Sequence, residues 1–303
     1  MRKFQPICFL ALFAVSVAIA WHPLVRTFRL ATENEAYTHI LLVIPLSFAF
    51  IWVDWKSLPP TVRPGVRLGS VLLCSAGMIG VLSRWQTVHL TVDFQLSMSM
   101  LALVTWWIGS FVFCFGTQRS RCVLFPLCFL LWMVPIPSFA LNEIIVWLQQ
   151  GSALATRLLF TAAGVPVAQD GLMLSIPGLT VEVAQECSSI RSSLILLVTT
   201  MVLAQLVLRS PWRKTLVIAL AVPFSVAKNG LRIFTIAMLG TRVDPGFLTG
   251  RLHHEGGIVF FSIALVVIFL LLWILRRAEN GTDRATALHH VGPDNLGITS
   301  ADK

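Results

Sequence analysis

Glu186-Cys187-Ser188-Ser189-Ile190-Arg191-Ser192-Ser193 runs without a break into Leu194-Ile195-Leu196-Leu197-Val198-Thr199-Thr200-Met201-Val202-Leu203-Ala204-Gln205-Leu206-Val207-Leu208. The second part is long and apolar enough to cross a bilayer, because a spanning helix needs roughly 20 residues, each rising about 1.5 Å through about 30 Å of hydrocarbon. The first part sets a thiol, an acid, a guanidinium and four hydroxyls at the entrance of that span. Packing alone does not call for such a set at a membrane boundary, and it reads as the mouth of an active site.

The chain around this stretch has the same character. Its 303 residues are 56% hydrophobic and only 12% charged, about half the charge of a soluble domain. The expected fold class is therefore an all-α polytopic membrane protein. Together with Ile190–Leu208, the apolar segments Ile7–Val25, Thr38–Val53, Leu68–Ser83, Phe94–Gly116, Cys122–Phe139, Thr215–Gly240 and Ile258–Leu275 make eight expected transmembrane helices. Gly69, Gly77 and Gly80 dilute the third. The first, with Arg2 and Lys3 before it and Ala18-Ile19-Ala20 near its end, also has the form of a signal peptide; the spans that follow favour an uncleaved anchor. Residues 1–277 read as one membrane domain and 278–303 as a polar cytoplasmic tail, expected to be disordered.

Basic residues orient the spans, since loops rich in Lys and Arg stay in the cytoplasm. With both termini inside, fourteen of the 23 lysines and arginines fall on the cytoplasmic side. The net charge of +9 follows from this asymmetry and does not call for a nucleic-acid partner. Cys187, with the segment from Pro137 to Gln185, then lies on the extracytoplasmic face. In that segment Pro135-Ile136-Pro137 forces an extended exit from the fifth span. An amphipathic helix is expected next, with Leu141, Ile144, Ile145, Leu148, Ala155, Leu158 and Leu159 on its apolar face. Gly171–Ile176 and Leu179–Ala184, joined by Pro177-Gly178 as a type II turn, read as a small hairpin delivering the chain to Cys187.

Cys8, Cys74, Cys114, Cys122 and Cys128 lie in or beside apolar spans without Cys-x-x-Cys spacing, and read as small core residues rather than disulfide or metal partners. Cys187 alone has polar company. If a helix begins near it, the positive end of the helix dipole and Arg191 one turn on favour the thiolate, while Glu186 opposes it. Nucleophile and structural cysteine both stay open on this chemistry. In the seventh span, Lys228-Asn229-Gly230-Leu231-Arg232 puts polar groups where they are expensive, Asn229 and Arg232 sharing a face and Lys228 placed to pair with a carbonyl or hydroxyl. Arg251-Leu252-His253-His254-Glu255-Gly256-Gly257 brings imidazole to the outer face, its glycines allowing close helix approach. His39 reads as an interfacial histidine bonded to backbone, and Trp52, Trp55, Trp85, Trp106 and Trp107 as belt or core residues.

These motifs together resemble the exosortase and archaeosortase family. Glu186-Cys187-Ser188-Ser189-Ile190-Arg191 resembles its nucleophile motif, with Ser189 where the family usually has Gly. Asn229-Gly230-Leu231-Arg232 is similar to its Asn-x-x-Arg motif, and His253, Gly257 and Phe261 to its final His-x-x-x-Gly-x-x-x-Phe motif. His39–Pro45 and Met133–Pro137 resemble its early segments, so the likeness covers about Thr38 to Leu275. The resemblance implies a cysteine protease and transpeptidase of the bacterial inner membrane that needs no cofactor or metal. Its substrates would be membrane-anchored secreted proteins with a C-terminal sorting signal: a Pro-Glu-Pro-like motif, a transmembrane helix and a basic tail. Cleavage would pass through a thioester, resolved by an acceptor such as a glycan or lipid. In that reading Cys187 is the nucleophile, His253 the proton shuttle with His254 as the alternative, and Arg232 the oxyanion donor. Glu186, Arg191 and Asn229 support the site or bind substrate.

Two other classes are weighed against this. A transporter would also bury Lys228, Arg232 and His39, but the internal repeats common in transporters are not found. A membrane glycan polymerase or transferase would use outward arginines and histidines and have no need of Cys187.

Overall fold

Prolines and glycines decide where the helices of this chain stop, and the computed structural model shows it across the residues it describes, 4–55, 64–85, 91–183, 190–248 and 257–290. The chain divides into two compact units, Met1–Trp147 and Leu148–Lys303. It is a multi-pass all-α membrane protein: among the described residues six helices are long and apolar enough to cross a bilayer, and up to eight spans result if each of two bent helix pairs counts as one.

The first unit contains α1 (Phe4–Ile19), α2 (Trp21–Glu33), α3 (Ile40–Asp54), α4 (Val66–Trp85), α5 (Val92–Cys122), α6 (Leu124–Phe129) and the start of α7 (Ser138–Ala162). The expected span Ile7–Val25 is not one helix, because the chain turns by 74° between α1 and α2. Pro23 sits in the first turn of α2, where its missing N–H costs no helical hydrogen bond. The expected span Cys122–Phe139 is not one helix either. Leu124–Met133 ends ahead of Pro135 and Pro137, which exclude helical geometry from the residues before them, and α7 departs at 99°. Within α5, Gly116 takes φ 83° and ψ 161°, so the span proper ends there.

Glycines bring α4 and α5 together. A β-carbon on Gly69 would lie 2.6 Å from Phe113 Cα, one on Gly65 2.6 Å from Val112 O, and one on Gly109 3.0 Å from Leu72 Cβ. Such contact between backbones is how helices associate where lipid removes the hydrophobic drive. On the other side of α5, Phe9 packs edge-on to Phe111 at 5.9 Å, Phe13 lies 4.9 Å from the Trp107 ring, and Trp107 Nε1 donates to Ser16 Oγ at 2.9 Å. His39 is buried and its Nδ1 lies 3.2 Å from Ala36 O, the backbone pairing expected of it.

Helix α7 buries a different face from the expected one. Leu141, Ile145 and Leu148 are buried, but so are Gln149, Ser152, Thr156 and Phe160, while Leu158 is 61% exposed and Ile144 also lies open. Of the cysteines expected in the core, Cys114 is buried and Cys8, Cys74, Cys122 and Cys128 are exposed.

The second unit contains the rest of α7, a sheet, α8 (Ile190–Val207), α9 (Pro211–Arg242) and α10 (Gly257–His290). The hairpin is present, β2 (Met173–Ile176) pairing antiparallel with β3 (Leu179–Glu182) and Ile176 facing Leu179. Gly178 takes φ 84°, as the second central position of a type II turn requires. A third strand, β1 (Ala168–Asp170), extends the sheet beyond the expected pair. Leu174 and Ile176 point inward, in clusters with Ala153 and Phe160 of α7 and Ile233 and Ala237 of α9. Leu196, Ala204, Val217, Ala264, Ile268 and Leu272 join α8, α9 and α10 in one apolar core. At one end of that core, Glu279 accepts from the backbone N–H of Arg209 at 3.1 Å and of Ser210 at 3.0 Å, and Arg213 Nη1 donates to Leu275 O at 2.8 Å. Helix α10 therefore runs past the expected start of the tail at Ala278.

The glycines of α4 can be told apart by substitution. Gly69→Ala should lower stability by about 1–3 kcal/mol through overpacking against Phe113, whereas Gly77→Ala, whose β-carbon would meet nothing within 4 Å among the described residues, should be neutral or stabilising by up to about 1 kcal/mol. Thermal unfolding of the two variants in detergent measures the difference.

Candidate active site

Cys187 and Glu186, like His253 and His254, lie outside the described residues. The chain on either side of residues 184–189 is anchored, however, and the anchors come from named side chains. Val183, wholly buried, donates its N–H to Leu172 O at 3.0 Å, and its carbonyl accepts from Gln149 Nε2 of α7 at 2.9 Å. On the far side, α8 opens at Ile190, and Ser192 and Ser193 in its first turn are held by α9. Lys228 Nζ donates to Ser192 Oγ, and Ser225 Oγ to Ser193 Oγ at 2.6 Å. Arg191 is exposed.

The donors on α9 form a stripe. Ser225, Lys228, Asn229 and Arg232 stand at the i, i+3, i+4, i+7 positions that share one helical face. Ser225, Lys228 and Asn229 are buried, Asn229 completely, and Arg232 is half-buried. The expected pairing of Lys228 with a hydroxyl is what the structure shows. Gly230, inside the same motif, serves packing instead. A β-carbon there would lie 2.6 Å from Ala155 Cβ and 3.1 Å from Thr156 N, so α9 and α7 touch backbone to backbone. Thr156 Oγ1 donates to Ser152 O at 2.7 Å and lies 3.3 Å from Gly230 O, and Gly151 faces Val226 one turn away. This contact sets the height of Asn229 and Arg232 relative to the sheet.

Lys228 is engaged by Ser192, and Arg232 one turn on brings to the same face a guanidinium, a group able to donate to a carbonyl oxygen, an oxyanion or a carboxylate. Among the described residues no group of three or more His, Cys, Asp or Glu side chains is arranged to hold a metal ion.

Sequence reasoning finds Arg232, Asn229 and Lys228 and misses Ser225 and Gln149. Ser225 is legible as the residue three before Lys228 on an otherwise apolar helix. Gln149 reads as lying off the apolar face of α7, and nothing in its neighbours signals that it reaches a strand end. Among the described residues nothing lies within 4 Å of a β-carbon built on Gly257, and Gly256 lies outside them.

Gln149→Leu should leave the buried Val183 carbonyl without its donor, at a cost of about 1–3 kcal/mol. Hydrogen exchange of peptides spanning β3 should quicken in that variant, while peptides from α10 stay unchanged.

No curated protein and no solved structure matches the chain. A family model described as transmembrane exosortase matches residues 26–270, which takes in α3 to α9 and most of the apolar part of α10. The chain thus belongs to the transmembrane exosortase family, membrane transpeptidases concerned with protein sorting.

Proposed function

We propose that the chain is a cysteine transpeptidase with Cys187 as nucleophile, acting on the extracytoplasmic side of a bacterial inner membrane. The observation that supports this most directly is the α9 stripe: Lys228 and Ser225 hold Ser192 and Ser193, a few residues after Cys187, on the same helix face that carries Asn229 and Arg232. Lys228 is met by Ser192, and a site that uses the charge of Arg232 accounts for a guanidinium one turn on in the same membrane helix.

In this reading the Cys187 thiolate attacks the carbonyl carbon at a Pro-Glu-Pro-like sorting motif of a membrane-anchored protein. A carbon–sulfur bond forms, and the carbonyl π electrons move onto oxygen, where Arg232, assisted by Asn229, stabilises the charge. Collapse of that intermediate breaks the carbon–nitrogen bond, and His253 gives its proton to the leaving amine, releasing the helix and basic tail. His254 is the alternative donor. The nucleophile of an acceptor, a glycan or lipid, then gives its proton to His253 as it attacks the thioester, and breaking of the carbon–sulfur bond returns the thiolate. Glu186 and Arg191 flank the thiol and tune its environment. Lys228 acts by position, fixing the start of α8 through Ser192.

Coexpression with a tagged substrate, read by mass spectrometry of its mature C-terminus, tests the chemistry. Cys187→Ala should abolish processing with insertion unchanged; full processing by that variant would sink the assignment. Arg232→Lys, which trades a two-donor fork for a single ammonium, should slow processing by about 10²–10³ at matched protein levels. Lys228→Ala should be milder. Near-normal rates in Arg232→Ala would remove Arg232 from the site.

The orientation has its own test. Reporters fused at Gly65, Gln118 and Ala278 should be cytoplasmic, and those at Gln169 and Asp244 extracytoplasmic. A cytoplasmic reporter at Gln169 would separate Cys187 from secreted substrates.

A further inference from the structure

The first unit holds a cavity of about 800 Å³, bounded by α1, α2, α4 and α5, which the chemistry above does not use. Its size lies in the range of ligand sites, roughly 300–1,000 Å³. Hydroxyls that line it are already engaged inside the protein. Ser16 Oγ donates to Phe13 O at 2.7 Å and accepts from Trp107, Ser83 Oγ donates to Gly80 O at 2.9 Å, and Ser99 Oγ to Gln95 O at 2.8 Å. Where its hydroxyls are met this way and its remaining lining is largely Ile19, Val25, Ala76, Val81, Ala102 and Leu103, the cavity suits an apolar chain.

Gly77 and Gly80 line the same space. Among the described residues a β-carbon on Gly77 would meet nothing within 4 Å and one on Gly80 only Ala102 Cβ at 3.8 Å, in contrast to Gly65, Gly69 and Gly109, which α4 and α5 need in order to touch. A glycine inside a helix costs about 1 kcal/mol relative to alanine. What these two give in return is open volume.

Charge is confined to one end. Arg26 and Arg29 of α2 and Arg84 in the last turn of α4 border the cavity with His22, all four exposed, and among the described residues no carboxylate lines it. Glu33 pairs with Arg29 at 2.7 Å, and the arginines that border the cavity outnumber the carboxylates among its lining residues. Trp21 and Val25 are exposed on α2, which lies bent at 74° to α1, the pattern of a helix seated at the membrane interface with its cations at headgroup depth.

We propose that this cavity binds an anionic, phosphate-bearing membrane lipid, its chain lying against Gly77 and Gly80 and its phosphate at Arg26, Arg29 and Arg84.

Native mass spectrometry of the full-length protein in detergent tests this, with phosphatidylglycerol, uncharged diacylglycerol and inorganic phosphate as probes. The expected result is one phosphatidylglycerol bound at least tenfold more tightly than diacylglycerol and undisturbed by millimolar phosphate. Arg26→Gln with Arg84→Gln should bring that preference to about one, and Gly77→Leu with Gly80→Leu should lower phosphatidylglycerol binding at least tenfold. Wild-type binding in the glycine variant would mean lipid held only on the outer surface, and displacement by phosphate would mean an anion site without a chain groove; either overturns the proposal. If the glycine variant fails to fold, the exposed arginine pair decides, and an unchanged preference there is equally fatal.

Discussion

An ammonium in the middle of a membrane helix must be met by a partner, and the second unit is arranged around how Lys228 is met. Its Nζ donates to Ser192, and Ser225 one turn earlier donates to Ser193, so α8 and α9 are tied at the first turn of α8. Hydrocarbon leaves no cheaper way to house the charge. The tie also limits where the polar stretch before α8 can go. Gln149 limits it from the other direction by holding the carbonyl of Val183, and Gly230 lets α7 come close enough to α9 for both constraints to hold at once.

This arrangement separates two uses of polarity on one helix. Ser225 and Lys228 are spent on structure, with partners on α8. Asn229 and Arg232 stand on the same face beyond them, at the end where α9 packs against the sheet through Ile233. A helix that had only the first pair would be a packing element; one that had only the second would carry a charge with little to fix its height. The motif Asn229-Gly230-Leu231-Arg232 joins both needs, because its glycine secures the backbone that its asparagine and arginine decorate.

Much of this is legible in the residues. Charge scarcity and apolar runs identify a polytopic helical protein, Pro177-Gly178 identifies the hairpin, and the cost of polar groups in an apolar helix singles out Lys228, which the structure pairs with a hydroxyl. What escapes has physical causes. Apolarity does not fall between Ile19 and Trp21 or between Cys122 and Phe139, so hydropathy sees a continuous span where the backbone turns by 74° or breaks at prolines. On α7 the usual sign of amphipathicity partly fails. Leu154 and Leu158 are exposed and Ser152 and Thr156 buried, as happens when the surroundings are as apolar as the interior and small polar residues permit close packing. The fine placement of Gln149 depends on a strand end 34 residues away, beyond any local pattern.

Glu279 shows where this domain ends. The family similarity stops at residue 270, yet the carboxylate that caps the turn between α8 and α9 comes from the next turns of α10, and the aromatic packing of Phe9 and Phe13 on α5 starts from residues before 26. A chain trimmed to the stretch of shared motifs would keep Arg209 and Ser210 but lose their acceptor, and would strip one flank from α5. The stretch that the family model matches is thus shorter than the stretch tied together by these contacts.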